Sequence, residues 1–144
     1  MPVSYYIDSC IYLNLWQKEK NRFGKPLWKI TKKFLEKIKN EQSIVYYSGY
    51  LLKELSFILP KKIFNEKLKM FNHTPCFKRG GLTLDEFNLA KQIKTRLNNS
   101  LSFYDIIHMI IAKKTNSILI TRDRELLKLA KKYKIKSHKP EELF

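Results

Sequence analysis

The chain has 144 residues, 44% of them hydrophobic, and this length suits one globular domain, residues 1–144, with a sizeable core. Its 29 lysines and arginines outnumber its 13 acidic residues and give a formal charge of +16, which favours a polyanionic partner such as nucleic acid. The chain lacks both a run of roughly 20 apolar residues and a signal-peptide layout, so we expect a cytoplasmic protein with no membrane partner, although an anionic lipid surface competes for the same charge.

Strand and helix patterns alternate along the chain, which is typical of an α/β domain with a mainly parallel sheet. Glycine and proline interrupt the pattern only rarely. In the first part of the chain we predict a strand over Ser4 to Ile7, a helix from Ile11 to Trp16, a polar break over Asn21 to Pro26, a helix over about Trp28 to Asn40 and a strand over Ser43 to Tyr47.

The central part is less regular. Ser48 should cap a helix that Pro60 ends, and a short helix should follow over Ile63 to Phe71. The stretch from Asn72 to Gly81 has no clear period, so a mobile loop is expected there. The remaining elements are a helix capped by Thr83 or Asp85 and ended by Asn98 to Ser100, a helix opened by Asp105, a strand over Ile118 to Thr121, a helix over Leu126 to Tyr133 and a short strand near Ile135.

Four acids sit where apolar strands or helix faces should not tolerate a charge: Asp8, Glu54, Asp105 and Asp123. Asp8 and Asp123 follow predicted strands, and ligand sites of open parallel sheets form beyond the carboxyl ends of the strands. The other two lie on apolar helices that could reach the same edge. Gathered there, the carboxylates would suit a hard cation such as Mg²⁺, which prefers oxygen ligands and keeps open positions for phosphate oxygens.

The four acids could also be accommodated without a cation. Protons or lysines could neutralise the carboxylates. Asp8 and Asp123 could simply cap the helices that follow them, and Ser102 to Asp105 fits a capping box. Glu54 argues against a purely capping role because it lies inside its helix, among apolar neighbours.

Cysteine and histidine give no further site. Cys10 and Cys76 form no CxxC pair, which argues against a disulfide framework and a zinc knuckle. His73, His108 and His138 are too dispersed for a zinc site. His108 lies on an apolar helix, so we expect it to be a core or supporting residue rather than a ligand.

The basic residues are spread over many predicted helices, where most would form solvated faces. Arg122 and Arg124 differ from the others because they flank Asp123. We therefore predict that these two arginines bind a substrate phosphate.

The acidic segments resemble those of PIN-domain ribonucleases, and among them the VapC-like toxins of type II toxin-antitoxin modules. The resemblance covers nearly the whole chain. The matching segments are Ile7 to Leu13, with the family's Asp and Ser after the opening strand, Tyr50 to Leu55 with its glutamate, Ser102 to His108 with its third acid, Ile120 to Asp123 with its fourth, and Ile135 to Leu143 as its closing strand and tail.

The resemblance implies a three-layer α/β/α fold with a mainly parallel central sheet and a Mg²⁺- or Mn²⁺-dependent endoribonuclease. The resemblance also implies that Ser9 and Thr121 supply hydroxyls that orient ligands or water. RNA is the implied substrate and a small antitoxin protein the implied partner, while formation of a homodimer stays open. The implied catalytic and metal-binding cluster is Asp8, Glu54, Asp105 and Asp123.

The sequence is also compatible with two other functions. One is a basic RNA-binding or RNA-processing module that keeps the fold without this catalysis. The second is a structural interaction protein whose acids only cap helices. Cleavage of RNA and salt-dependent RNA binding would separate the three.

Overall fold

The computed structural model describes residues 3–97 and 101–144. None of the helices among these residues is long and apolar enough to cross a membrane. The described strands are β1 (Ser4–Ile7), β2 (Ile44–Ser48), β3 (Phe77–Gly80), β4 (Ile118–Ile120) and β5 (Ser137–His138). The described helices are α1 (Ser9–Trp16), α2 (Leu27–Asn40), α3 (Gly49–Ile58), α4 (Lys61–His73), α5 (Leu84–Arg96), α6 (Phe103–Lys114), α7 (Arg124–Lys132) and a final 3-10 helix (Pro140–Leu143).

The strands form one parallel sheet in the order β3-β2-β1-β4-β5. The chain moves outward from β1 through β2 to β3, then returns to the opposite side of β1 for β4 and β5. The winding therefore reverses between β1 and β4, and sheets of this kind bind ligands beyond the strand ends at such a point. The predicted α/β class with a parallel sheet is confirmed.

Side chains of β1 alternate between two hydrophobic cores, one on each face of the sheet. Tyr5 and Ile7 pack with residues of α1, α2, α3 and α4, whereas Tyr6 packs with residues of α5, α6 and α7. Helices thus cover both faces, which confirms the three-layer α/β/α arrangement. The central helix α6 is buried from Ile106 to Ala112, so it carries every side chain of that stretch into the interior.

Most predicted elements lie within a few residues of their expected bounds, but the predicted loop over Asn72 to Gly81 is wrong. Helix α4 runs on to His73, and β3 follows as an edge strand paired with β2. Lys78 and Arg79 are exposed, so apart from the half-buried Phe77 ring β3 is held in the sheet mainly by backbone bonds. Its residues therefore show no apolar alternation that a sequence pattern could detect.

Two smaller points concern the ends of elements. The last strand, β5, begins two residues after Ile135, which is itself buried in the core. Thr83 caps α5 as predicted, through a capping box with Glu86. The predicted end of that helix at Asn98 to Ser100 lies outside the described residues.

We predict that Phe71→Ala lowers the free energy of unfolding by about 3–5 kcal/mol, because Phe71 is 1% exposed and its loss leaves a cavity. Its ring contacts four aromatic side chains: Tyr12, Trp16, Tyr47 and Phe77. Phe57, which is 69% exposed, provides the matched control, and Phe57→Ala should change stability by less than about 0.5 kcal/mol. Urea unfolding of both variants checks this, and equal losses would contradict the described core.

Candidate metal centre

Asp8 lies directly beyond β1, at the point where the winding of the sheet reverses. Its backbone N–H donates to the Ile120 carbonyl at 2.9 Å, which fixes it against the end of β4. Asp8 occupies the N-cap position of α1, yet its side chain makes no capping hydrogen bond. The suggestion that Asp8 serves as a helix cap is therefore wrong, and its carboxylate, only 4% exposed, needs different partners.

Three neighbouring side chains hold the Asp8 carboxylate. The Thr121 hydroxyl donates to Oδ2 at 2.8 Å, the Cys10 thiol contacts the same oxygen at 3.3 Å, and the Ser9 hydroxyl contacts Oδ1 at 3.4 Å. Burial raises the pKa of Cys10, and the nearby Asp8 charge raises it further, so the thiol keeps its proton and remains a donor. Ser9 and Thr121 thus both contact the predicted acid.

Glu54, on α3, faces the same place from the other side. Its side chain is 17% exposed, and its Oε1 lies 2.5 Å from Nε2 of His108 on α6. One potential ligand atom from each of Asp8, Glu54 and His108 lies within 4.8 Å of the others. The fold therefore brings together two acids that are 46 positions apart in sequence, together with a buried histidine.

The donor set fits a hard divalent cation held by oxygen. Mg²⁺ and Mn²⁺ prefer carboxylates and retain water, so the carboxylates of Asp8 and the partly exposed Glu54 are suitable ligands. His108 is less suited to bind the ion, since both of its ring nitrogens already have partners, Glu54 and Tyr6. Its position matches the sequence-based expectation of a supporting residue: it holds Glu54 in place.

Lysine neutralisation, the main alternative to a cation, finds no support in the described residues. The ion pairs that lysine or arginine makes in this part of the chain involve Glu41, Glu86, Glu125 and Glu141. Among the described residues, then, no lysine or arginine is paired with any of the four candidate acids. Their negative charge is left for protons or a bound cation to balance.

A closed circuit of hydrogen bonds supports Glu54. The Tyr6 hydroxyl lies 2.6 Å from His108 Nδ1 and 2.7 Å from the Ser48 hydroxyl. Ser48 in turn caps α3 by accepting the Leu51 N–H at 3.1 Å, and α3 carries Glu54. The sequence predicted Ser48 as a cap, but not its hydrogen bond with the buried Tyr6 hydroxyl. The connection depends on side chains of three separate elements meeting in the interior.

The hydrogens of this circuit can be assigned by counting donors. An ionised Glu54 only accepts, so Nε2 of His108 must carry the hydrogen between them. In the neutral ring, Nδ1 then accepts a hydrogen bond from the Tyr6 hydroxyl. The Tyr6 oxygen in turn accepts from the Ser48 hydroxyl, and the Ser48 oxygen accepts from the Leu51 N–H. Each donor is used once, and a protonated ring would keep the same bond to Glu54. The circuit therefore fixes the direction of the imidazole and the place of the carboxylate.

Electrostatic shifts show that the acids are crowded. Burial acts to lower the pKa of His108, but the hydrogen bond with Glu54 and the charges of nearby carboxylates outweigh it and raise the pKa. Burial also raises the pKa of Asp105, the negative charge of Asp8 raises it further, and the bonds from Ser102 do not cancel the shift. Asp105 thus lies close enough to Asp8 for their charges to oppose each other, a repulsion that a cation would relieve.

Asp105 and Asp123 lie outside the closest group, and both do serve as caps. Asp105 forms the predicted capping box, with its Oδ2 accepting the Ser102 N–H at 3.0 Å. Asp123 Oδ1 accepts the N–H groups of Glu125 and Leu126, in the first turn of α7, at 2.9 and 3.2 Å. Thr121 links Asp123 to Asp8, because its hydroxyl accepts the Asp123 N–H and donates to Asp8. Each cap uses one carboxylate oxygen, so capping leaves the second oxygen for a ligand.

Arg122 does not match its predicted role. Its Nη1 donates to both Glu141 oxygens at 2.8 Å, its Nε donates to Asn14 at 2.9 Å, and its Nη2 is buried. The guanidinium thus ties the final 3-10 helix to α1 and is not free to bind phosphate. Arg124 is exposed at the start of α7, so its side chain is accessible, and its role in binding phosphate stays a prediction.

We predict that Tyr6→Phe lowers the free energy of unfolding by about 1–3 kcal/mol, since it leaves His108 and Ser48 with an unpaired buried group. Tyr12→Phe is the matched control. The Tyr12 hydroxyl is buried without a partner among the described residues, so its removal should leave stability unchanged or raise it. Urea unfolding measures both, and a Tyr6→Phe variant as stable as Tyr12→Phe would refute the circuit.

Comparison with known proteins places this geometry in a family. The sequence model of the PIN domain matches residues 5–132. No curated protein matches the chain. Among the solved structures similar to it are three with 12–22% identity, and at such low identities the likeness shows a shared fold. FitAcB from Neisseria gonorrhoeae has a TM-score of 0.60 at 12% identity, covering 94% of this chain and 97% of that one.

Two more structures agree with the first. FitAB bound to an IR36 DNA fragment has a TM-score of 0.58 at 14% identity, covering 94% of each chain. PAE2754 from Pyrobaculum aerophilum has a TM-score of 0.51 at 22% identity, covering 99% of this chain and 95% of that one. The family match spans most of the chain, including all four acids and the whole hydrogen-bond circuit that supports Glu54, and the chain belongs to the PIN domain family.

Proposed function

We propose that this protein is a divalent-metal-dependent endoribonuclease that hydrolyses RNA phosphodiester bonds at the carboxyl edge of its sheet. One observation carries the proposal: Asp8 and Glu54 come from separate elements, yet their carboxylates meet within 4.8 Å where the winding reverses. PIN domains are generally nucleases, which supports a hydrolytic role for such a site. The proposed catalytic residues are Asp8, Glu54, Asp105 and Asp123, with Ser9 and Thr121 in support.

Each residue has a defined part in the proposed reaction. Asp8, held by Thr121, and Glu54, held by His108, would bind Mg²⁺ or Mn²⁺, with Asp105 and Asp123 beside them. When bound, such an ion supplies positive charge for the phosphate and lowers the pKa of water. Water attacks phosphorus, one P–O bond breaks and the leaving oxygen takes a proton. Because the side chains are fixed before substrate arrives, little rearrangement is needed during the reaction.

The surface and the site have opposite charges, and this suggests separate tasks. The formal charge of +16 attracts a polyanion, while the carboxylates repel phosphate until a cation is bound. Arg124 follows Asp123 directly and is exposed, so it can contact the RNA backbone beside the site. We therefore propose that basic residues determine affinity and the acids determine chemistry.

The proposed cellular role is that of a toxin held inactive by a small antitoxin protein. The motif resemblance to VapC-like toxins supports this role. A basic RNA-binding module without catalysis is the alternative, and it predicts binding without turnover.

We predict that Asp8→Asn lowers RNA cleavage at least about a hundredfold, since a ligand is lost. Thermal stability without metal should hold or rise, because the change relieves repulsion with Asp105. Asp85→Asn makes the same charge change at an exposed position on α5 and should keep full activity. Cleavage of a labelled single-stranded RNA, with thermal melting of each variant, provides the measurement.

Excess EDTA should abolish cleavage by the wild-type chain, and Mn²⁺ or Mg²⁺ should restore it. Equal cleavage with and without EDTA would contradict the metal mechanism. So would an Asp8→Asn variant that is inactive only because it unfolds. Binding of RNA with no cleavage under any metal condition would favour the non-catalytic alternative.

We predict that Arg124→Gln weakens RNA binding and lowers the slope of log K against log salt by about 0.7, the value for one phosphate contact on a single strand. Lys61→Gln provides the control: it removes an exposed charge at the start of α4, beyond the end of α3 that is opposite Ser48, and the slope should stay unchanged. Binding isotherms at several salt concentrations test this. Equal changes in both variants would show a diffuse surface effect instead of a contact beside the site.

A further inference from the structure

Residues 17–26, between α1 and α2, form an ordered turn with an exposed tip. Asn21 closes the turn: its side-chain oxygen accepts the N–H groups of Phe23 and Lys25, each at 2.9 Å, and its own N–H donates to the Lys25 carbonyl. Gly24 takes a positive φ of 80°, which glycine adopts without strain. We call this segment the basic-aromatic loop.

The tip of the basic-aromatic loop presents an aromatic ring among cations. Phe23 is 80% exposed, the highest value among the exposed large hydrophobic side chains described. The Arg22 guanidinium lies 4.8 Å from the centre of the Phe23 ring and covers one side of it. Lys20 and Lys25 are exposed on either side. A ring in this position adds nothing to the core, because it is outside both hydrophobic clusters.

The basic-aromatic loop is tied to the metal centre through a short series of contacts. Asn14 on α1 accepts the Arg122 Nε–H at 2.9 Å, and Arg122 lies between Thr121 and Asp123. The Asn14 carbonyl accepts the Glu19 N–H at 2.9 Å, and its side chain contacts the Glu19 carboxylate at 3.5 Å. Glu19 belongs to the loop. The loop is thus anchored to the same edge of the sheet as the acids.

From these observations we infer that the basic-aromatic loop is a binding site for single-stranded RNA, in which a base stacks on the open face of Phe23 while Lys20, Arg22 and Lys25 contact phosphates. Aromatic rings beside cations bind unpaired bases without sequence preference, because every base has a π-face. Arg22 can stack on Phe23 and still present N–H groups to a phosphate. The inference rests on the proposed function only for its choice of RNA.

An anionic membrane would also attract this charge, but the observations favour RNA. The loop offers one aromatic ring, and the residues on both sides of it are Arg22 and Gly24, so little apolar area could enter a bilayer. Asn14 connects the loop to Arg122, the neighbour of Thr121 and Asp123, so a strand bound at the loop would have a short path to the acids. The loop would then hold the strand on one side of the site and increase affinity without taking part in chemistry.

The test is binding of a fluorescently labelled single-stranded RNA, measured by anisotropy in EDTA so that cleavage does not interfere. Phe23→Ala should raise Kd at least about fivefold, the loss expected for one stacked base. Its salt slope should not change, since stacking releases no counterions, whereas Lys25→Gln should lower the slope by about 0.7. Phe23→Trp should bind as tightly as wild type, and Phe23→Leu should behave like Phe23→Ala.

Phe57→Ala, which removes an exposed ring from α3, is the matched control and should leave Kd unchanged. In cleavage assays Phe23→Ala should raise KM for a long RNA but not for a dinucleotide, which is too short to occupy the metal centre and the basic-aromatic loop at once. An unchanged Kd in Phe23→Ala, or an equal loss in Phe57→Ala, would overturn the inference.

The inference and the proposed nuclease can fail separately. RNA binding that depends on Phe23, with no cleavage under any metal, would remove the nuclease and keep the loop. Cleavage of RNA with a Kd that does not depend on Phe23 would support the nuclease and overturn the inference about the loop. Sedimentation with phosphatidylserine vesicles provides the last comparison: loss of vesicle binding in Phe23→Ala, with RNA binding unchanged, would make the loop a membrane contact and overturn the inference.

Discussion

The contact between Glu54 and His108, 2.5 Å long, is the interaction on which the arrangement of the metal centre depends. It connects α3 to α6 across the end of the sheet, and His108 is in turn held by Tyr6 on β1. Ser48 closes the circuit by capping the helix that carries Glu54. A shift of any member would therefore move the Glu54 carboxylate relative to Asp8. A site of this kind is preorganised by the core, not by a flexible loop.

The same arrangement keeps negative charge concentrated in a strongly positive chain. Buried carboxylates without lysine partners are costly: burial raises the pKa of Asp105, and the negative charge of Asp8 raises it further. A folded protein retains such a feature when a cation or a substrate makes use of it. Exposed positive charge lies beside the acids at Arg124 and farther away in the basic-aromatic loop, so the proposed attraction of RNA does not depend on the carboxylates themselves.

The sequence was sufficient for the fold class and for the position of Asp8 and Asp123, because strand ends and helix periods are local patterns. It was also sufficient to place His108 as a supporting residue. It could not assign Arg122, whose partner Glu141 becomes a neighbour only after folding. Strand β3 could not be predicted because Phe77 is its one large apolar side chain, and the backbone bonds that pair it with β2 leave no pattern in the sequence. Features that follow from local patterns were therefore predictable, whereas contacts between residues far apart in sequence were not.

Crystals grown with Mn²⁺ and measured for anomalous scattering would test the central claim most directly. The account predicts an anomalous peak beside the carboxylates of Asp8 and Glu54, within normal metal–oxygen bonding distance of both. It further predicts that His108 stays bonded to Glu54 and does not bind the ion. A structure without a peak at this place, or with a lysine side chain lying between the two carboxylates, would contradict the account.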